Sequence, residues 1–387
     1  MQTSVKSSDA KIAILCNRYA FEVSPVIKNL CSYLYDHGFG TVDLITDKLY
    51  RDEKFSQRGA NIVNFAGSRS GRLFSLSPDV RIVRDVVKEM KTRLFATFVS
   101  SRIHDYSLVF AADFPALDLL NRASFDLSRC IFLSLEGVDY LRRENPDRVR
   151  DMLSRCAFCV VQNEARSRDI ESHLDTELRT EYLPVSMRPG NRHPGADTGD
   201  LGVIYSGYFA PWAALLQFLR AYETDRCYEM SSLLLHGHLM GTESYFDEVA
   251  AVARRIPNSR IDTSYYDDEH HLELMACHDV GICLYDTSIQ TTNFTHIEVA
   301  SGKLAGYLWA GLAVLTNIDV PLTQDKPFIR IRDFETDNIK GLLQHVKANR
   351  AEFRARAYET AHMEYNFDRY MEQVATRIEQ ILVEGKQ

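Results

Sequence analysis

Short apolar runs alternate along this chain with longer stretches whose apolar residues recur every three or four positions. The short runs read as buried strands and the longer stretches as amphipathic helices. In the first half the predicted strands are Lys11–Cys16, Thr41–Ile45, Asn61–Phe65, Ser107–Ala111, Cys130–Leu135 and Phe158–Gln162. A helix is predicted from about Val23 to His37, stopped at Gly38, and another from Pro78 to Ile103. The Pro- and Gly-rich stretch SMRPGNRHPGADTGD, Ser186 to Asp200, has no periodicity and reads as a linker.

Beyond it the alternation restarts. Strands are predicted at Leu201–Tyr205, Ser232–His236, Asp279–Leu284, Ala313–Asn317 and Ile329–Ile331. Helices are predicted at Pro211–Tyr222, Glu243–Arg255, Asp268–Cys277, Ser301–Ala310 and Asn338–His362, and an amphipathic stretch runs from Asp368 to Val383. The expected class is α/β: two doubly wound Rossmann-like domains facing a central cleft, with ligands at the carboxyl ends of the strands. The expected domains are residues 1–188, residues 198–365, and a helix over 366–387 that packs back on the body.

Composition narrows the partners. The 387 residues carry 45 Lys and Arg against 53 Asp and Glu, a net charge of −8, which speaks against broad nucleic-acid binding. The N-terminus, MQTSVKSSDA before KIAILC, lacks a signal-peptide pattern, and no apolar run reaches membrane-spanning length. The expectation is a cytoplasmic protein, at most peripheral at the inner face of a membrane. Cys156 and Cys159 form a C-x-x-C, but CAFCVVQ reads as a buried strand and no second pair completes a zinc site. P-loop, G-x-G-x-x-G, G-x-S-x-G, H-E-x-x-H and D-x-D patterns are all absent, so protein groups would have to neutralise the phosphates of any nucleotide.

The segment Asn293–Asn317, NFTHIEVASGKLAGYLWAGLAVLTN, carries the most chemistry. A helix starting near Ser301 presents Ser301, Gly302 and Lys303 in its first turn. Unpaired N–H groups and the positive dipole end suit an anion there. A lysine in that turn opposes the dipole unless a phosphate shares the site. The plainer alternative makes Ser301 an N-cap and Lys303 a surface lysine.

ASGKLAGYLWAGLAVLT resembles the S-x-K-L-x-E-Y-L-A-x-G-x-P-V-V signature of GT-B-fold glycosyltransferases of the group 1 type. GVIYSGYFAPWAALLQFLRAY, LLLHGHLMG and SRIDTSYYDDEHHLELMACHDVGICLY resemble that family's C-domain segments in the same order, and LVFAADFPALDLL and CAFCVVQNEARSRDIESHL fit its N-domain more loosely. The resemblance implies a nucleotide-sugar donor site. Glu298 would contact the donor sugar; Ser301, Gly302 and Lys303 would hold the diphosphate, with Gly207 beside it; Gly237, His238 and Tyr266 would line the nucleotide pocket. Gly306 stands where the family often has a second glutamate for the ribose.

On the acceptor side the resemblance points to Asp113, Glu136 and Asp139, after the fourth and fifth strands, and to Asn17 and Arg18 after the first. Asp113 and Glu136, with Glu298, are the candidate catalytic groups, since a carboxylate can serve as general base. Asp113 as a helix cap before Pro115 is the plain alternative. His271 and His278 can share a helix face, but no metal is expected, and no cofactor beyond the donor substrate. The 78–103 helix is rich in Arg and Lys; it reads as a core-packed helix with a basic solvent face, or as a contact for an anionic membrane surface. The basic loop Gly67–Arg72 precedes it.

The implied activity is metal-independent transfer of a hexosyl group to a glycan, lipid-linked or small-molecule acceptor, with surface polysaccharide synthesis as an analogy. A non-catalytic glycan-binding or partner module and a nucleotide-sugar epimerase are the alternatives.

Overall fold

The computed structural model describes residues 10–17, 24–47, 58–65, 81–136, 138–188, 199–239, 243–286, 288, 296–318 and 326–384. The side chains of 81–89, 139, 140, 238, 239, 243 and 299 are outside that description. Arg18 and the Gly67–Arg72 loop lie outside the described residues.

The chain divides into two compact units, Met1–Pro184 with Phe367–Gln387, and Val185–Asn366. The first holds β1 (Ile12–Cys16), α1 (Pro25–Asp36), β2 (Val42–Thr46), β3 (Ala60–Asn64), α2 (Arg81–Ser100), β4 (Leu108–Ala112), α3 (Asp113–Arg122), β5 (Cys130–Leu133), α4 (Val138–Leu141), α5 (Pro146–Arg155), β6 (Phe158–Val161), α6 (Glu164–Leu174) and β7 (Thr180–Tyr182). Its parallel sheet has the order β3-β2-β1-β4-β5-β6-β7, so the winding direction reverses between β1 and β4.

The second unit holds β8 (Leu201–Phe209), α7 (Leu215–Thr224), β9 (Ser231–Leu239), α8 (Glu243–Ala253), β10 (Ser259–Asp262), α9 (Asp268–Ala276), β11 (Val280–Cys283), α10 (Gly302–Trp309), β12 (Ala313–Thr316), β13 (Phe328–Arg330), α11 (Ile339–Ala348) and α12 (Arg350–Glu364). The order β10-β9-β8-β11-β12-β13 repeats the same topology, with its reversal between β8 and β11. The last helix, α13 (Phe367–Glu384), returns to the first unit, where Phe367, Met371, Val374, Ile378 and Leu382 are buried. This is the doubly wound α/β class expected from the alternating pattern.

Local chemistry explains where the helices begin. Ser24 caps α1 by accepting from the Ile27 N–H at 3.4 Å, and Pro25 occupies its first turn. Asn145, Asn163, Asp267 and Asn338 cap α5, α6, α9 and α11 in the same way. Central strands such as β1, β4 and β11 are buried at every position, which is why they read as continuous apolar runs.

Several elements differ from the expectation. β8 and β9 continue to Phe209 and Leu239, so Gly207 and Gly237 lie within paired strands rather than in loops after them. The helix predicted over Asn338–His362 is two helices broken at Asn349, whose amide donates back to the His345 carbonyl at 2.8 Å. The edge strands β7 and β10 carry half-exposed residues without an apolar run and escaped prediction. β6 starts at Phe158, so Cys156 is not a strand residue; it ends α5, and its thiol donates to the Met152 carbonyl at 3.3 Å. All eight cysteines are free thiols, and all but Cys277 are buried. Among the described residues no helix is long and apolar enough to cross a membrane.

Candidate functional site

In the second unit the strand ends at the winding reversal gather a compact set of groups. Ser301 caps α10 through the Leu304 N–H at 3.3 Å, and its hydroxyl meets the Tyr285 hydroxyl at 3.0 Å. Gly302 and Lys303 form the first turn of α10. Lys303 points inward, which rules out the surface-lysine alternative: its Nζ is shut off from solvent and has no hydrogen-bond partner among the described residues. Three rings surround it, with centroids at 4.6 Å (Tyr285), 5.2 Å (Tyr205) and 5.3 Å (Trp212). Desolvation by burial lowers its pKa, opposed by the Cys283 thiol.

A buried ammonium without an acceptor is costly unless a ligand supplies one. The backbone beside Lys303 is closely packed. A Cβ on Gly207 would stand 2.9 Å from the Lys303 Cδ, and one on Gly237 would overlap the Gly207 carbonyl oxygen. Gly237 therefore needs glycine for the close approach of the neighbouring strand, while Gly207 lies against the Lys303 side chain.

Beside Gly207, Ser206 joins two histidines. Its Oγ lies 3.2 Å from His236 Nδ1 and 2.6 Å from His271 Nε2. His236 Nε2 is 3.1 Å from the Ser264 carbonyl, which only accepts, so that nitrogen carries the proton. In the neutral ring Nδ1 then accepts from the Ser206 hydroxyl, and Ser206 accepts from His271. Tyr266 packs on the His236 ring at 5.3 Å and donates to Asp262 at 2.9 Å. His278 instead donates Nδ1–H to the Leu274 carbonyl at 2.9 Å, so it and His271 share no ligand. Among the described residues no cluster of His, Cys, Asp and Glu could hold a metal ion.

Glu298 lies in a 3-10 turn, Ile297–Val299, five residues before Lys303, and its carbonyl accepts from the Tyr365 hydroxyl at 2.8 Å. His238 is placed only as backbone, paired with Tyr208. Gly306 faces α9: a Cβ there would meet the Met275 Cε at 3.2 Å.

In the first unit the strand ends hold the carboxylates. Asp113 is buried, and it adopts a left-handed backbone, φ 59°, at the start of α3. It is not the helix cap that the plain alternative assumed. Its Oδ1 accepts from the Leu135 N–H at 2.8 Å and the Glu136 N–H at 3.1 Å, tying the end of β4 to the loop after β5. Its Oδ2 is buried and has no hydrogen-bond partner among the described residues. Burial pushes the Asp113 carboxyl up to about 7, helped by the Glu136 charge and opposed by the two N–H bonds and by Arg166. Burial also raises Glu136, again against Arg166. Asn17 Nδ2 donates to the Pro115 carbonyl at 3.2 Å, at the reversal point between β1 and β4. Asp139 is placed only as backbone in α4.

The sequence reading missed Arg166. It is buried on α6, with Nη1 donating to Gln162 Oε1 at 3.1 Å. Gln162 in turn donates to the Ser134 carbonyl. Q-N-E-A-R gave one signal, a polar pair four apart at a strand-to-helix junction. It also missed Tyr205, Trp212 and Tyr285, which look like ordinary core aromatics in sequence.

No family model matches the chain, and no curated protein matches it in sequence. Solved structures do. The N-terminal domain of Candida albicans trehalose-6-phosphate phosphatase superposes with a TM-score of 0.66 at 11% identity, over 98% of each chain. Anabaena HepE, solved with UDP and glucose, superposes at 0.66 and 11% identity, over 96% of this chain and 100% of that one. The Escherichia coli trehalose-6-phosphate protein, bound with UDP-2-fluoro glucose, superposes at 0.64 and 11% identity, over 96% and 99%. At such identities the likeness shows the fold, and it places the two doubly wound units in the GT-B class.

Proposed function

We propose that this protein is a glycosyltransferase that takes a sugar from a nucleotide-sugar donor. The observation that carries this reading is the Lys303 Nζ at the start of α10, buried and without a hydrogen-bond partner among the described residues. A diphosphate would supply its missing acceptor and would also meet the free N–H groups of the helix end. Positive charge would thus come from a side chain and backbone dipoles, and the donor needs no divalent metal. Glu298 would hold the sugar hydroxyls, with Gly207 beside the phosphates and Gly237, His238 and Tyr266 toward the nucleoside. Neighbours of the same fold were solved with UDP or a UDP-sugar, which makes UDP the first ligand to try.

Asp113 is the proposed general base. Its pKa of about 7 and unpartnered Oδ2 suit removal of a proton from an acceptor hydroxyl near neutral pH. Glu136 and Arg166 set its charge environment; Asn17, Arg18 and Asp139 belong to the acceptor side. The acceptor would be a glycan, a lipid-linked sugar or a small-molecule hydroxyl. A surface-polysaccharide setting and peripheral membrane contact through the basic helix are finer parts of the same proposal.

The test is a titration of UDP and UDP-sugars followed by thermal shift, with donor hydrolysis as the second readout. Binding must raise the melting temperature, and Lys303→Ala must remove the shift. No shift from any nucleotide sugar at millimolar concentration would overturn the reading. Gly306, packed on Met275, favours a second reading as a non-catalytic binding module. Binding with no sugar release from any donor would select it. A sugar product of changed configuration without an acceptor would select the epimerase.

A further inference from the structure

Ser134, Leu135 and Glu136 follow β5 in the first unit, and their backbone is held from three sides. The Ser134 N–H donates to the Val160 carbonyl of β6 at 2.9 Å. The next two peptide planes, Ser134–Leu135 and Leu135–Glu136, are each held at both ends. Their N–H groups, at Leu135 and Glu136, donate to Asp113 Oδ1. Their carbonyls accept from Gln162 Nε2, Ser134 closely and Leu135 at 3.5 Å. Among the described residues no peptide is cis, and in a trans plane the C=O and N–H point opposite ways. Asp113 and Gln162 therefore stand on opposite sides of the same two planes.

Gln162 is itself fixed. It is buried just beyond β6, and its Oε1 accepts from Arg166 Nη1 at 3.1 Å. A carbonyl only accepts and a guanidinium only donates, so the Gln162 amide has one orientation that satisfies both. The hydrogen bonds thus run one way, from Arg166 through the Gln162 amide and the two peptides to the Asp113 carboxylate. Each donor in such a chain polarises the next. Asp113 needs outside support, because its left-handed backbone, φ 59°, is a conformation its surroundings must hold.

We infer that Gln162 is a positioning residue for Asp113. By holding the carbonyl ends of the two peptides it aims their N–H groups at Oδ1, and so commits Oδ2 to the acceptor's proton. The second half of this rests on the reading of Asp113 as general base; the first half does not.

The test is Gln162→Met in the full chain, which removes the donor and keeps the bulk. The carboxylate form of Asp113 then loses stabilisation, so its protonation step should move up from about 7. A rise of about half a unit or more is expected, equal to about a threefold loss of rate on the acid side. The charged side chains that bear on Asp113 are Glu136 of the same loop and Arg166 of α6, and the variant keeps both. Stability in urea at several pH values reads the step without any need for turnover: the contribution of protonated Asp113 should persist to higher pH. In turnover, kcat should fall on the acid side and approach the wild-type value on the alkaline side, with KM for the donor unchanged. A merely structural role would lower stability or kcat by one factor at every pH. Gln162→Asn, an amide one methylene shorter, should move the step the same way and serves if the Met variant does not fold. In an Asp113→Asn background, Gln162→Met should find no step to move. A step at the wild-type pH in the folded variant, or a loss independent of pH, would overturn the inference. A stability step that moves in a protein that transfers no sugar would uphold the positioning and sink the base reading alone.

Discussion

At the scale of single residues, two of the buried groups with unmet hydrogen bonds bear on the proposed chemistry. Lys303 carries a buried ammonium among rings, and Asp113 a buried carboxyl with one idle oxygen. Lys303→Met keeps an unbranched side chain, one atom shorter, and removes the desolvated charge. The variant should melt higher than the wild type while losing its response to UDP, as a residue kept for function at the expense of stability would. Asp113 makes a signed prediction about pH. Its folded pKa, about 7, lies above the ordinary 3.8, so between these values the folded state binds more protons than the unfolded. Its contribution is complete below pH 4 and is lost as pH rises through 7, on the order of 4 kcal/mol in total. Asp113→Asn should flatten that part of the stability curve in urea titrations at several pH values. Transfer activity should rise with pH through about 7 in the wild type and be lost in the variant. Lys303 was legible because S-G-K at a predicted helix start is odd on dipole grounds alone. Arg166 was not, because nothing local to Q-N-E-A-R says that its guanidinium turns inward, where its charge acts on Asp113 and Glu136.

At the scale of elements, α10 ties the second unit's sheet together. The buried Tyr307 hydroxyl donates to the Ile282 carbonyl at 3.1 Å and accepts from the Ser206 N–H at 2.7 Å, so one side chain ties β11 to β8. Tyr307→Phe leaves that N–H buried without its acceptor and should cost about 1–3 kcal/mol in denaturant unfolding. Gly306, one residue earlier, should behave oppositely. Ala there gains helix propensity, and its Cβ meets only the flexible end of Met275, so Gly306→Ala should be stabilising by roughly 0.5–1 kcal/mol in the same measurement. The sequence showed α10 well, since its cap, apolar face and following buried strand agree with one another. It showed β8 and β9 too short. Glycine normally ends a predicted strand, and only the pairing of Gly207 with Gly237 reveals that both strands run on through it.

At the scale of the whole molecule, both winding patterns were readable because parallel strands buried on two faces leave continuous apolar runs. The edge strands β7 and β10 were not, because their segments, TEY and SRID, are largely polar and half-exposed. The path of the chain between the units was legible only in part. α13 belongs with the first unit, while Met187 and Asn366 form a bridge that brings the two ends of the second unit side by side. A variant lacking residues 367–387 should lose hydrogen-exchange protection in α1 and β7, where α13 packs, and keep it in β8, β9 and β11. The bridged ends also make the second unit an insertion, and that sets an order of events during synthesis. The first unit must wait for its last helix until about 180 further residues have been made. At roughly 5–20 residues per second that is an interval of about 10–40 seconds. Throughout it, the part of the first unit that α13 will cover stays uncovered while the second unit is being made.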